Sequence, residues 1–257
     1  MTEFIKKFWE KQGKIFKESH EASWGDNFAI DLEIENISKF INKGDNVLDV
    51  GCANGYSTFF YLKKKPLHIT GVDFANNMIL NANIAAKKLN VESIVKFEVG
   101  DIRNLDFPNS TFDVSYTTRV LINLPNWEEQ KLGIDELIRV TKEGGRVILS
   151  EAFYEPLVLL NSLRQLVQLP PLVEHDFNRY IKKIKLEDYL IKKGYDFECI
   201  DMSSIYYLGS RFLRELVTNP GDYKGYSNPI NKLFYEIEKE FSGGGFGIQQ
   251  IYLLYKK

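Results

Sequence analysis

Between residues 46 and 150 the chain alternates short, nearly continuous apolar runs with longer stretches of helical spacing. Short apolar runs bounded by turn residues mark strands buried on both faces. Such runs predict strands at 46–50, 67–72, 94–99, 112–116 and 146–150. Helices are predicted at 56–62, 75–89 and 127–140; the last carries Leu132, Leu137 and Val140 and is closed by Gly144-Gly145. Strand and helix in strict alternation predict a parallel sheet with helices on both faces. Upstream, residues 1–16 have the pattern of an amphipathic helix, and Asp26 is placed to cap a helix bearing Ala29, Leu32, Ile37 and Phe40.

Beyond residue 152 the pattern changes. Residues 153–185 form an irregular helical stretch broken at Pro170-Pro171, and a strand is predicted at 195–202. A polar, tyrosine-rich segment covers 204–244, and 246–255 reads as a last strand. The expected architecture is therefore a seven-stranded, mostly parallel, doubly wound α/β sheet with an antiparallel last strand. In this single domain (1–257), residues 1–42 form an N-terminal helical cap, and 153–185 and 204–244 are lid insertions.

Composition narrows the function classes. The 257 residues are 44% hydrophobic and 14% aromatic, enough for a substantial core. A net charge of −2 argues against a protein built to grip nucleic acid. The 153–219 segment agrees, with nine Lys/Arg against nine Asp/Glu. No apolar run reaches the roughly 18–20 residues of a membrane span, and the N-terminus lacks the apolar core of a signal peptide. Two cysteines, Cys52 and Cys199, and three scattered histidines predict free thiols, a cytoplasmic setting and no metal.

The chemistry gathers after the first strand. Val47-Leu48-Asp49-Val50-Gly51-Cys52-Ala53-Asn54-Gly55 is a strand that runs into a glycine-rich loop. Backbone approaches a ligand closely only where side chains are small. A pyrophosphate prefers N–H groups without a nearby carboxylate, so Asp49 argues for a ligand carrying positive charge. Tyr56 stands where the dinucleotide fingerprint needs its third glycine. Asp73, about twenty residues past the loop, suits ribose hydroxyls or the cap of the following helix. Asp101 ends the third strand, at the edge where open α/β sheets bind ligands.

Asp49-x-Gly51-x-Ala53-x-Gly55, Asp73, Asp101, Phe112-Asp113-Val114 and Arg139-Val140-x-Lys142-x-Gly144-Gly145 together resemble the class I S-adenosylmethionine-dependent methyltransferases. The likeness is best over 24–152; Ala53 replaces a usual glycine. The resemblance implies that Asp49, Gly51, Ala53, Asn54 and Gly55 hold the methionine moiety of S-adenosylmethionine. Asp73 would hold the ribose, Phe74 would lie beside the adenine, and Asp101 and Ile102 would frame its edge. Thr117, Thr118 and Arg119 would lie near the sulfur. Arg119 would meet the cofactor carboxylate or an anionic substrate, or simply start a surface helix. Trp24 would face the sulfonium or pack the N-terminal helix.

Methyl transfer from a sulfonium needs alignment and desolvation more than acid–base help. A base is required only for a weakly acidic hydroxyl or a protonated amine. Glu151, at the carboxyl end of the fifth strand, and His175 are the candidates. For the acceptor, the insertions offer Tyr154, Asn161, Arg164, Asn178, Arg179, Tyr180, Tyr206, Tyr207 and Arg211, types suited to a polyhydroxylated or phosphorylated small molecule. The run 118–125, with 160–164 and 206–211, resembles a bacterial subgroup associated with surface-polysaccharide biosynthesis. That resemblance implies O-methylation of a sugar or phosphate-bearing capsule precursor. The competing readings are a nicotinamide-dependent oxidoreductase or epimerase, and a module that binds S-adenosylmethionine without turnover.

Overall fold

Side chains alternate across a strand, so a central strand feeds two apolar layers. On β1 (Asn46–Val50), Leu48 and Val50 enter one layer and Val47 the other. The computed structural model describes residues 3–219, 222–223 and 225–256. The first two residues of the expected N-terminal helix, and residues 220, 221 and 224 of the second insertion, lie outside the described residues, as does 257.

In chain order the helices α1 (Glu3–Phe16) and α2 (Asn27–Ser38) precede β1, and α3 (Tyr56–Lys64) follows it. Then come β2 (His68–Asp73), α4 (Asn76–Leu89), β3 (Val95–Val99), β4 (Phe112–Thr118), α5 (Trp127–Val140) and β5 (Thr141–Ala152). Next are α6 (Tyr154–Leu166), α7 (Lys183–Lys193) and β6 (Asp196–Ile200). The second insertion holds α8 (Ser204–Leu208), a π-helical turn (Gly209–Leu213), α9 (Arg214–Val217) and α10 (Pro229–Glu240), and β7 (Gln249–Tyr255) follows.

The seven strands lie in the order β3-β2-β1-β4-β5-β7-β6. The pairs β1–β2, β1–β4, β2–β3 and β4–β5 are parallel, and β7 is antiparallel to both β5 and β6. The expected sheet is therefore present, last strand included. One layer packs α5, α6 and α7 against one face, through Leu137, Leu157 and Leu186. The other packs α2 and α4, through Ile34 and Ala82. The chain reverses its winding between β1 and β4, which opens a crevice beyond their carboxyl ends.

Local signals behave as their chemistry requires. Asp26 caps α2, accepting from the Ala29 N–H at 3.2 Å. A boundary and a buried stripe depart from the sequence reading. Strand β5 begins at Thr141 rather than Arg146, because Gly144 (φ +73°) and Gly145 exchange backbone hydrogen bonds with Lys256. Leu132 is 49% exposed, and the buried stripe of α5 runs instead through Ile134, Leu137 and Ile138. Among the described residues, no helix is long and apolar enough to cross a membrane.

Candidate active site

Two adjoining cavities open at the crevice. The first is floored by the β1 loop and walled by Asp73-Phe74, by Thr118–Val120 and by α2. The loop reaches it because Gly51 adopts φ +80°. A Cβ there would lie 2.0 Å from Val120 Cγ2, so only glycine fits without displacement.

Asp73 is the best-placed polar group. Its Oδ2 accepts from the Ala53 N–H at 3.0 Å and its Oδ1 from the Ala75 N–H at 2.9 Å. It thus ties the loop to the residue that precedes α4, whose own first N–H groups are left to another acceptor. A carboxylate has about four lone-pair positions, so each oxygen keeps an acceptor for a ligand in the cavity it lines. Burial pushes its pKa up to about 6.

Asp49 lies beneath the loop, fully buried, accepting from the Thr58 hydroxyl at 2.6 Å. It borders neither cavity, the Tyr116 hydroxyl is its neighbour, and burial raises its pKa to about 6. Asn54 lines the cavity and donates to the Lys17 and Ser19 carbonyls at 2.7 Å, fastening the end of α1 to the loop. Gly55 (φ +80°) turns the chain into α3.

Other expected cofactor residues are placed elsewhere. Asp101 borders neither cavity and is held by Arg103 at 2.5 and 2.9 Å, which keeps its carboxyl below the usual range despite partial burial. The Ile102 side chain packs in the core against Gly133. Thr117 is fully buried and donates to Glu151 at 2.8 Å. Trp24 stacks under the Arg119 guanidinium, 4.8 Å from the ring centre, and borders the second cavity. Arg119 borders both cavities and pairs with Glu33, so its charge is already answered. Glu33 also accepts from the Ser150 hydroxyl (2.6 Å) and the Gln249 amide (2.9 Å).

Three site residues escaped the sequence reading. Glu33 interrupts the apolar face of α2 between Ala29 and Ile37, a signal that was visible. Trp9 borders both cavities, and its indole donates to Asn123 Oδ1 at 3.4 Å. Glu10 caps α4 from outside, accepting from the Asn76 and Asn77 N–H groups at 2.7 and 3.0 Å. Together Trp9 and Glu10 seat α1 over the site.

The second cavity, about 660 Å³, lies between α1, the 172–180 segment and the second insertion. His175, Asn178, Tyr180, Tyr207 and Arg211 line it as expected. Five expected acceptor residues do not line it. Tyr154 is 39% exposed beneath Lys182. Asn161 clamps both backbone groups of Leu172. Arg164 is 3% exposed and spent on the Pro170 carbonyl and Glu215. The Tyr206 hydroxyl donates to Asp26 at 2.6 Å. Arg179 points its guanidinium at the Asp176 and Asn178 carbonyls.

The placement of Glu151 argues against its acid–base role. It is fully buried and borders neither cavity. Its carboxylate accepts from Thr117 and from the N–H groups of Val120, Leu121 and Ile122, at 2.8 to 3.3 Å. These are the donors of a 3₁₀ turn, so Glu151 anchors the backbone that follows Arg119. Burial pushes its pKa up to about 7. Glu151→Gln should leave kcat within about threefold while lowering stability by about 1–3 kcal/mol, since an amide cannot accept from all four donors. Steady-state rates beside urea melts check this. A loss of about 10²-fold in kcat would restore the base assignment.

A family model described as a methyltransferase domain matches residues 41–214. The chain belongs to the class I S-adenosylmethionine-dependent methyltransferase domain family. Phosphoethanolamine N-methyltransferase 1 of Zea mays is 28% identical to this methyltransferase domain over 142 residues, 53% of this chain and 27% of the relative. The 27-O-demethylrifamycin SV methyltransferase of Amycolatopsis mediterranei (strain S699) is 30% identical over 117 residues, 45% of this chain and 42% of the relative. The chain thus spans well under half the length of these two relatives. Among solved structures, the [4+2]-cyclase SpnF superposes with a TM-score of 0.59 at 18% identity, covering 89% of this chain and 82% of that one. That likeness speaks for the fold alone.

Among the described residues, no group of three or more His, Cys, Asp and Glu side chains is placed to hold a metal ion. Cys52 is buried and Cys199 exposed, both as free thiols.

Proposed function

We propose that the chain catalyses methyl transfer from S-adenosylmethionine to a small molecule held in the second cavity. The observation that carries this is Asp73, a buried carboxylate with acceptor capacity to spare, beside a loop that only glycine can shape. Gly51, Ala53, Asn54, Asp73 and Phe74 are assigned to the cofactor. When bound, the cofactor supplies a methyl carbon already activated by its sulfonium. The protein's part is to align an acceptor with it and exclude water. Residues 1–42 serve as the cap and 153–185 and 204–244 as the lid, consistent with α1 and both insertions bordering the second cavity.

The acceptor reading changes from the sequence expectation. Asn178 lines the cavity with its side-chain amide, while Asn123 is held by Trp9 and the Arg119 carbonyl and the Gln249 amide nitrogen by Glu33 and Ser150. A phosphate finds less support. The two lining arginines, Arg119 and Arg211, are paired with Glu33 and Asp26, and no lysine among the described residues lines the cavity. An association with surface polysaccharide rests on sequence likeness and gains nothing from this cavity. The closing test is calorimetric titration with S-adenosylhomocysteine and with NAD. Binding of S-adenosylhomocysteine is expected, and binding of NAD alone would overturn the proposal.

Asp73 also sets a pH signature. Its carboxylate must be ionised to accept from two hydroxyls at full strength, so affinity for S-adenosylhomocysteine should fall as pH drops through about 6. At pH 5 the loss should approach about tenfold. Stability of the ligand-free protein should move the other way. A folded pKa raised above the unfolded value means the native state binds more protons between about 4 and 6, so acidification over that window stabilises it. Titrations and melts at pH 5, 6 and 7 check both signs.

A further inference from the structure

The second cavity has an unusual charge balance. Both of its arginines are neutralised from behind. Arg119 pairs with Glu33, and Arg211 with Asp26, whose side chain is fully buried. Arg211 is also packed against the rings of Tyr207 and Tyr226, at 5.0 and 4.7 Å. The lining carboxylates are in the opposite condition. Glu21, Glu174 and Asp176 border the cavity and form no ion pair among the described residues. Glu174 accepts only a backbone N–H, that of Tyr180, at 2.5 Å.

Between these acids the walls are aromatic. Phe8 and Phe177 stand 4.9 Å apart, and His175 lies 4.4 Å from Phe177. Trp24, Tyr180 and Tyr207 line the same space. Ring faces attract cations, the more so where both are shielded from water. They repel anions for the same reason, since the face of the ring is negative. A volume of about 660 Å³ is that of a drug-sized ligand. A bare headgroup such as ethanolamine would leave most of it unfilled.

The geometry points to an acceptor that carries a protonatable amine on an apolar or ring-shaped body, with the nitrogen as the methylated atom. This rests on the methyltransferase reading of the first cavity and names the substrate class of the second. The amine docks as an ammonium toward Glu174 and Asp176, its body against the rings. The ammonium then gives up one proton, through those carboxylates, to solvent. The nitrogen lone pair forms the new N–C bond as the methyl carbon's bond to sulfur breaks, leaving that electron pair on sulfur. Positive charge passes from sulfonium to the methylated nitrogen, and the sum balances without an oxidant or a metal.

The test uses three matched probes, 2-(1-naphthyl)ethylamine, the corresponding alcohol and its phosphate ester. Each is titrated into the full chain with and without saturating S-adenosylhomocysteine. The amine is expected to bind at least about tenfold more tightly than the phosphate ester, with the alcohol between. In Glu174→Gln/Asp176→Asn the amine preference should collapse to within about threefold, while S-adenosylhomocysteine affinity stays unchanged. Tightest binding by the phosphate ester, equal binding of amine and alcohol, or a preference untouched by the double variant overturns the inference. Failure of S-adenosylhomocysteine to bind would instead strike the methyltransferase reading, and the probe order without it still decides the question of charge.

Discussion

Asp73→Asn is expected to weaken S-adenosylhomocysteine binding about 10- to 100-fold. Hydrogen bonds to a charged acceptor are worth about 1.5–3 kcal/mol, and the substitution replaces one acceptor oxygen with a donor. Because Asp73 also holds the Ala53 and Ala75 N–H groups, the variant must lose stability as well, by about 1–3 kcal/mol for the donor left without a partner. Calorimetric affinity alongside a urea melt separates the two effects. An affinity unchanged within threefold would leave Asp73 as a loop anchor and remove it from the ligand.

Arg119→Leu should cost about 3–5 kcal/mol, because it strands Glu33 as a buried carboxylate without its cation. Glu33 is 2% exposed, so the guanidinium is the cation that answers its charge in the folded chain. Removing both partners, in Glu33→Leu/Arg119→Leu, should recover much of the loss, since two apolar side chains leave no unpaired charge. The Ser150 hydroxyl and Gln249 amide would then lack their acceptor and keep the double variant below the parent. Denaturant melts of the three variants form the cycle. A single-variant cost under about 1 kcal/mol would mean that the Glu33 charge is reached by solvent.

The sheet was legible because its signals are local. Apolar runs of strand length, a glycine loop and an aspartate about twenty residues on lie within one stretch of chain. Asp73 and the Gly51–Asn54 loop meet in the first cavity for that reason. What was illegible was direction and distance. Glu151 was correctly expected at the carboxyl end of β5, but nothing in its own neighbourhood revealed that three successive N–H groups at 120–122 needed an acceptor. Arg119 finds Glu33 across 86 positions, and Trp9 finds Asn123 across 114. Tyr206 and Arg211 looked like acceptor contacts from their type. Asp26, 180 residues away from Tyr206, takes its hydroxyl for the interior. Residue type suggested a polar lid, and the pairing of its charges decided which polarity remained available.

The tryptophans are distributed in a way that serves the experimenter. Of the three in the chain, Trp9 borders both cavities and Trp24 borders the second under a guanidinium. Trp127 packs against Tyr189 at the start of α5 and borders neither. Two of the three intrinsic fluorophores therefore look into the reaction space, and the third serves as an internal reference. Occupancy of either cavity should register as a change in emission without any attached dye, so the protein comes with its own optical readout for screening acceptors.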